Sequence, residues 1–243
     1  MKTRQTSDST AISKTSPGVR PRDAAGLVLL RRTGGDDVVL LGRRARSARF
    51  LPGIYAFPGG ALEASDLIDP GYSGAPLVVP ERLDKRSQRH ARAFARAALR
   101  ETFEETGLLL GRPLTAPLTA APPTAAALTA SAVAQAPWHH YRSAALQPAF
   151  DAMKLFARAI TPAHAPRRFH NRFFLADGNL AVGRLKGNGE LEDLAWVPVT
   201  RALTLPMAQI GTLVLREALA HLAEGAARPA ARFIWRRGET RSA

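Results

Sequence analysis

An α/β fold is predicted for this 243-residue chain by three features. A pair of short β-like runs flanks a glycine turn near the start. Two long stretches, 88–106 and 207–224, carry helical periodicity. Further β-like runs lie between and after them, so strands and helices interleave, and one α/β domain is the simplest architecture. A composition of 46% hydrophobic and 22% charged residues supports a globular core.

Residues 1–22 are polar and broken by Pro17, Gly18 and Pro21, and are read as a disordered basic tail. Ala24–Leu30 and Asp37–Leu41 are the first two strands, with Gly34-Gly35-Asp36 as the hairpin turn. Ile54–Phe57 is a short extended run entering Pro58-Gly59-Gly60. Residues 67–86 hold Pro70, Gly71, Gly74, Pro76 and Pro80, and read as a loop. Helical periodicity covers Gln88–Thr106, and Gly107 follows as its natural terminator. The Ala/Pro/Thr segment 112–137 is of low complexity and leaves its structure undetermined. Pro148–Ile160 is expected to be helical, with Pro148 in the first turn. Arg167–Leu175 and Leu191–Val199 are expected strands. Met207–Glu224 is an amphipathic helix with Ile210, Leu213, Leu215, Leu219 and Leu222 on or near one face. The domain is thus expected over 23–226, followed by a basic C-terminal tail, 227–243.

Several function classes are removed by composition. With no cysteine, disulfides, thiol catalysis and thiolate-bound zinc are excluded. No apolar run reaches the ~18 residues that span a bilayer, and no signal-like h-region is present, so a cytoplasmic location with no membrane partner is expected. The net charge is +14 and falls largely on Arg. Each tail carries five basic residues and one acidic one, so much of the excess is read as solvated termini. Nucleic acid is not an expected partner, since neither interleaved aromatics nor a reading motif accompanies the charge. His139-His140 would need a third ligand to hold zinc, and adjacent residues do not share a face.

The chemistry lies in Ala95–Gly107, ARAALRETFEETG. At 100° per residue Ala95, Leu99, Phe103 and Thr106 share one face, with Glu101, Glu104 and Glu105 roughly opposite. Three such carboxylates repel one another by a few tenths of a kcal/mol per exposed pair, ~0.2–0.5. A divalent cation reverses that sign, and Mg²⁺ takes carboxylate oxygens while keeping waters for a substrate's phosphates. Arg100 precedes Glu104 by four residues and is placed to orient an acid. Upstream, Gly59 and Gly60 allow close backbone approach. Alone, the acidic face also fits an ordinary solvated helix surface; the upstream glycine pair favours the cation.

These residues resemble the signature of the Nudix superfamily: Gly, five residues, Glu, seven residues, then Arg-Glu-apolar-x-Glu-Glu-x-Gly-apolar. Arg100-Glu101-Thr102-Phe103-Glu104-Glu105-Thr106-Gly107-Leu108 meets the second half, with Thr102 at an apolar position. Gly60 and Asp66 meet the first half, with Asp for Glu. Between Asp66 and Arg100 lie 33 residues instead of seven, an insertion of 26. Residues 67–99, including the start of the box helix, are therefore read as an insertion, expected to be a surface excursion that costs little closure entropy. A split box of this kind resembles the peroxisomal coenzyme A diphosphatases and their bacterial relatives, as do Ser47-Ala48-Arg49-Phe50, Ala56–Gly60, Ile160-Thr161-Pro162, Arg167-Arg168-Phe169 and Arg172-Phe173-Phe174. The resemblance spans roughly residues 24–224.

The resemblance implies an α/β/α sandwich with a mixed sheet and a loop insertion within the box. It implies Mg²⁺ or Mn²⁺ on Glu101, Glu104 and Glu105, and hydrolysis of a diphosphate linkage in a nucleoside diphosphate derivative, coenzyme A or its acyl esters first. Catalytic roles are expected for Glu104, Arg100 and Glu192. Glu104 is the first choice as base and Glu192 the second, with Glu190 and Asp193 beside it and Glu63 in the box loop. Gly59, Gly60, Arg168 and Arg172 are expected to contact substrate; Arg168, His170 and Arg172 alternate along a strand. A homodimer is admitted. The rival readings are a Nudix-fold nucleotide-binding module without catalysis and a nucleotide-end or RNA-cap hydrolase.

Overall fold

The computed structural model describes residues 19–72, 77, 88–114, 132–163, 165, 167–225, 228–236 and 239–242. Strand β1 (Arg22–Thr33) turns back into β2 (Asp36–Arg44) through Gly34 and Gly35, at φ 61° and 93°. Thr33 pairs with Asp36, so the loop has two residues, both with positive φ, which is why glycines stand there. Then follow β3 (Tyr55–Ala56), β4 (Gly59–Ala61), a 3₁₀ turn at Ala64–Leu67, helix α1 (Gln88–Thr106) and β5 (Leu109–Pro113). Helix α2 (Ala132–Ser143), β6 (Leu146–Pro148), a 3₁₀ turn at Phe150–Ala152, β7 (Lys154–Ile160), β8 (Phe169–Asp177) and β9 (Ala181–Val182) come next. The chain closes with β10 (Leu191–Pro198), α3 (Val199–Ala202), α4 (Gln209–Glu224), β11 (Ala231–Arg236) and β12 (Glu239–Ser242).

The main sheet runs β10-β2-β1-β8-β7-β11-β12, with β3 beside β2 and β4 beside β1. It is mixed: β1/β8 and β7/β11 are parallel, the other pairs antiparallel. Strands β6, β5 and β9 form a small second sheet. Period-two alternation splits each central strand between two cores. Ala25, Leu27, Leu29, Leu40 and Phe174 pack with Phe94, Ala98 and Leu99 of α1. Val28, Leu30, Val39, Leu41, Phe173 and Leu175 pack with Val214, Leu215 and Ala218 of α4. The result is an α/β/α sandwich. Among the described residues no helix is long and apolar enough to cross a membrane.

Four expectations are corrected. Pro148–Ile160 is not helical: it holds the end of β6, a 3₁₀ turn and β7. Leu155, Phe156 and Ala157 are all buried, because β7 lies between β8 and β11. A strand covered on both faces gives an unbroken apolar run that periodicity cannot tell from a buried helix. The C-terminal 227–243 is not merely a tail. Its β11 adds parallel to β7 and buries Ala231 and Phe233 around an exposed Arg232. The 67–99 insertion is not a bare surface excursion, since Tyr72 and Leu77 belong to the α1-side core. Tyr72 meets the rings of Trp138 and Tyr141 on α2, an unforeseen helix, and its hydroxyl donates to the Trp138 carbonyl at 3.3 Å. Finally, α1 is buried on more than its apolar stripe: Arg96, Thr102 and Glu105 are also shielded. The expected tail before residue 19 and most of the low-complexity segment (115–131) lie outside the described residues.

Candidate active site

Strand β1 offers one edge to β8 and divides the other. Residues Leu30–Thr33 pair with β2, while Ala24, Ala25 and Gly26 pair with Ala61, Gly60 and Gly59 of β4. This lays the glycine turn on the sheet where α1 crosses it. A Cβ at Gly59 would stand 2.4 Å from the Ala25 carbonyl oxygen, and one at Gly60 would stand 2.2 Å from Glu101 Oε1. A side chain at Gly59 would strike backbone, and one at Gly60 would displace the Glu101 carboxylate. The Gly59 N–H donates to Glu105 Oε2 at 2.8 Å, and the bare Cα of Gly60 seats the Glu101 carboxylate. The pair expected to offer backbone to substrate thus holds two of the box acids.

Arg100 ties the halves of the box together. Its Nε and Nη2 donate to Asp66 Oδ1 and Oδ2 at 3.1 and 3.0 Å, a bidentate pair with side chains 2% and 1% exposed. Nη2 also reaches the Ala61 carbonyl at 3.0 Å, and Nη1 reaches Glu101 Oε1 at 3.0 Å and Glu104 Oε2 at 3.3 Å. A guanidinium has five N–H donors, and these five bonds occupy them all. Asp66 in turn accepts from the Glu63 N–H at 2.9 Å. All five donors of Arg100, expected to be catalytic, are thus engaged within the protein. The shorter Asp66 serves where the family pattern has Glu because the 3₁₀ turn carries it to the guanidinium.

The three box acids differ in environment. Burial drives Glu105 up to about 8, against the Gly59 hydrogen bond that favours its ionised form. Burial likewise drives Glu101 up to about 7, against the attraction of Arg100. Glu104 is raised in the same way, again opposed by Arg100. Its Oε1 is buried with no hydrogen-bond partner. Shielded, mutually repelling carboxylates with an orphaned oxygen fit a hard divalent cation. Among the described residues no group of three or more acidic or imidazole side chains is arranged to hold a metal ion. Mg²⁺ does not require one, because it binds through one or two carboxylates and keeps water in its other positions.

Outside the box, one further acid is near enough for its charge to be felt there, Glu190. Its charge bears on both Glu101 and Glu105. Glu192, the second expected base, and Asp193 pair with Arg43, at 3.1 and 2.6 Å. Glu63, exposed in the box loop, bears on Glu104.

Both arginines expected at the substrate have partners within the protein. Arg172 is 2% exposed, lies 3.6 Å over the Phe94 ring and donates to Asp23 Oδ1 at 3.0 Å. It braces β8 against α1. Arg168 donates to the Val19 and Thr161 carbonyls at 2.8 and 3.3 Å, and His170 meets Asp23 and Arg158. Sequence reasoning overlooked Arg44, whose charge favours ionised Glu105 and whose Nε closes the 45–54 loop on the Phe50 carbonyl at 2.9 Å. Its place at the end of β2, in a run of basic residues before the glycine turn, was the available signal. His139 and His140 are exposed on α2, and His140 stacks near Phe103.

No protein-family model matches the chain, and no curated protein does. Solved structures do. A Nudix hydrolase from Alicyclobacillus acidocaldarius is 31% identical with a TM-score of 0.61, over 83% of this chain and 92% of that one. The Nudix domain of Shewanella oneidensis NrtR, complexed with ADP ribose, is 13% identical with a TM-score of 0.47, over 87% and 96%. An Ap4A hydrolase from C. elegans is 15% identical with a TM-score of 0.43, over 84% and 98%. Identity of 31% across nearly the whole of the first structure shows the family. The chain belongs to the Nudix hydrolases.

Proposed function

We propose that the protein is a Mg²⁺- or Mn²⁺-dependent diphosphatase acting on a nucleoside diphosphate derivative. The observation carrying this reading is the Arg100 knot. It draws the distant halves of the box together and holds Glu101 and Glu104 beside Glu105, leaving Glu104 Oε1 without a protein partner. A binding module has no use for three repelling acids kept at the cost of their burial.

Glu101, Glu104 and Glu105 are the residues that would hold the cation, which would supply electrophilic activation of the diphosphate and offset charge on the leaving group. Glu190 takes the proton from the water that attacks phosphorus. Glu104, the first expectation for that role, already gives one oxygen to Arg100, and its other is shut off from solvent. Glu190 is exposed and can return its proton to solvent. Arg44 stands on the Glu105 side of the site and is assigned to the substrate's phosphates.

Coenzyme A and its acyl esters are the first substrates to test, on the likeness of the split box and its flanking segments to the coenzyme A diphosphatases. Dinucleotides and ADP-ribose follow. The test is product release from coenzyme A, ADP-ribose, a dinucleoside polyphosphate and a capped RNA oligonucleotide, with and without Mg²⁺. Turnover of coenzyme A only with metal present supports the reading. Turnover of capped RNA alone replaces the substrate, and binding without turnover of any compound replaces the enzyme with a binding module.

A further inference from the structure

Strand β10 carries an extra residue against β2. Leu191 and Glu192 face Arg44 and Arg43, whereas Ala195 and Trp196 face Leu41 and Leu40, so the register shifts by one between Glu192 and Ala195. Within this bulge Asp193 takes φ +49°, a conformation that Asp tolerates better than most residues. Arg43, directly across, bonds both carboxylates of the bulge: Nε to Asp193 Oδ2 at 2.6 Å and Nη2 to Glu192 Oε2 at 3.1 Å.

The bulge has a mechanical consequence. It turns Leu194 over Gly42, where a Cβ would stand 2.8 Å from Leu194 Cδ2, and against Gly187, where a Cβ would stand 3.3 Å from Leu194 Cδ1. Gly187 in turn lies against the Glu105 carbonyl. The loop 183–190 is thereby seated on the end of α1, where the Lys186 N–H also donates to the Thr106 carbonyl at 2.9 Å. The last residue of this loop is Glu190. Its N–H donates to Asn188 Oδ1 at 2.9 Å and its carbonyl accepts from the Ala45 N–H at 3.0 Å. The backbone of Glu190 is thus fixed from both sides, one residue before the strand that Arg43 clamps.

We infer that Arg43 is a positioning residue: by clamping the β10 bulge it seats the 183–190 loop on the box helix and aims Glu190 at the box acids. The inference rests on the assignment of Glu190 as the base, and the experiment separates the two. The side chains of Arg43 and Asp193 are 23% and 57% exposed, so Arg43→Met and Asp193→Asn are expected to keep the fold; Asn also tolerates the positive φ.

The measurements are kcat and KM of wild type, R43M, D193N, E190Q and R43M/E190Q on whichever diphosphate of the panel is turned over fastest. Mn²⁺ affinity, read by electron paramagnetic resonance, accompanies them. E190Q is expected to lose about a hundredfold in kcat, the scale of a general base. R43M is expected to lose roughly tenfold in kcat with KM and Mn²⁺ affinity nearly unchanged, and D193N somewhat less, about threefold. The double variant should be no slower than E190Q alone, because a residue that acts through Glu190 has nothing left to position. A multiplicative loss in the double variant overturns the inference while leaving Glu190 as base. So does an R43M enzyme with wild-type kcat. A fall in Mn²⁺ affinity matching the fall in kcat also overturns it, since that marks general loosening of the site. Wild-type kcat in E190Q removes the base assignment, and the inference with it.

Discussion

Replacing Asp66 by Ala removes one half of an ion pair whose side chains are 1% and 2% exposed. Two charge-assisted bonds vanish, from Arg100 Nε and Nη2, and the Glu63 N–H loses its acceptor. The guanidinium stays buried with only Glu101, Glu104 and the Ala61 carbonyl to answer it. Breaking a buried pair from one side costs about 3–5 kcal/mol, a large part of the ~5–15 kcal/mol that holds a typical domain folded. For a domain of this size that lowers Tm by about 6–20 °C. The box acids lose their common anchor as well, so metal affinity should fall with stability. The assay is urea denaturation and calorimetry of wild type and Asp66→Ala, with Mn²⁺ titration of each at a temperature where both are folded. A variant within about 0.5 kcal/mol of wild type, the range of ordinary surface substitutions, with unchanged Mn²⁺ affinity, refutes the claim that Asp66 and Arg100 unite the split box.

Other outcomes follow from the same geometry. EDTA-treated protein should lose diphosphate hydrolysis and regain it with Mg²⁺; full activity in EDTA would remove the cation from the reaction. Glu104→Gln and Glu105→Gln should each cut kcat by roughly two orders of magnitude or more while circular dichroism stays unchanged, the amide oxygen at 105 still accepting from Gly59. In metal-free protein, burial lifts Glu105 to about 8 and Glu101 to about 7 from 4.5. The folded state therefore binds protons more tightly than the unfolded one. The stability these groups contribute is present below about pH 4.5 and is lost as pH rises through 7 to 8. Metal-free Tm should fall across that window and Mg²⁺ should restore it. Near pH 7, cation binding should release roughly one to two protons, read by calorimetry in buffers of different ionisation enthalpy. Tyr72→Ala, inside the insertion, should cost about 3 kcal/mol by the scale of aromatic truncations in cores. Excision of residues 70–84 should then destabilise the fold, and a deletion variant as stable as wild type would return the insertion to the surface.

Local pattern determined much of this protein. The bounds of α1 and its terminating glycine follow from periodicity and from the φ of +72° that Gly107 adopts. The two-residue hairpin follows from paired glycines, and the three box acids from their spacing, because each of these is settled by residues within a few positions of one another. Tertiary structure alone decided what depends on partners far along the chain. It made 154–160 a strand by placing it between β8 and β11, and it recruited the basic C-terminus to the sheet by pairing Ala231 with Ala157. It closed Arg100 on Asp66 across the insertion. It buried Glu105 beneath Gly59, and it paired Glu192 with Arg43. Side-chain spacing tells which groups share a face. Whether a face meets solvent, another carboxylate or an arginine depends on the register of strands distant in sequence, and that register is fixed only when the two cores pack.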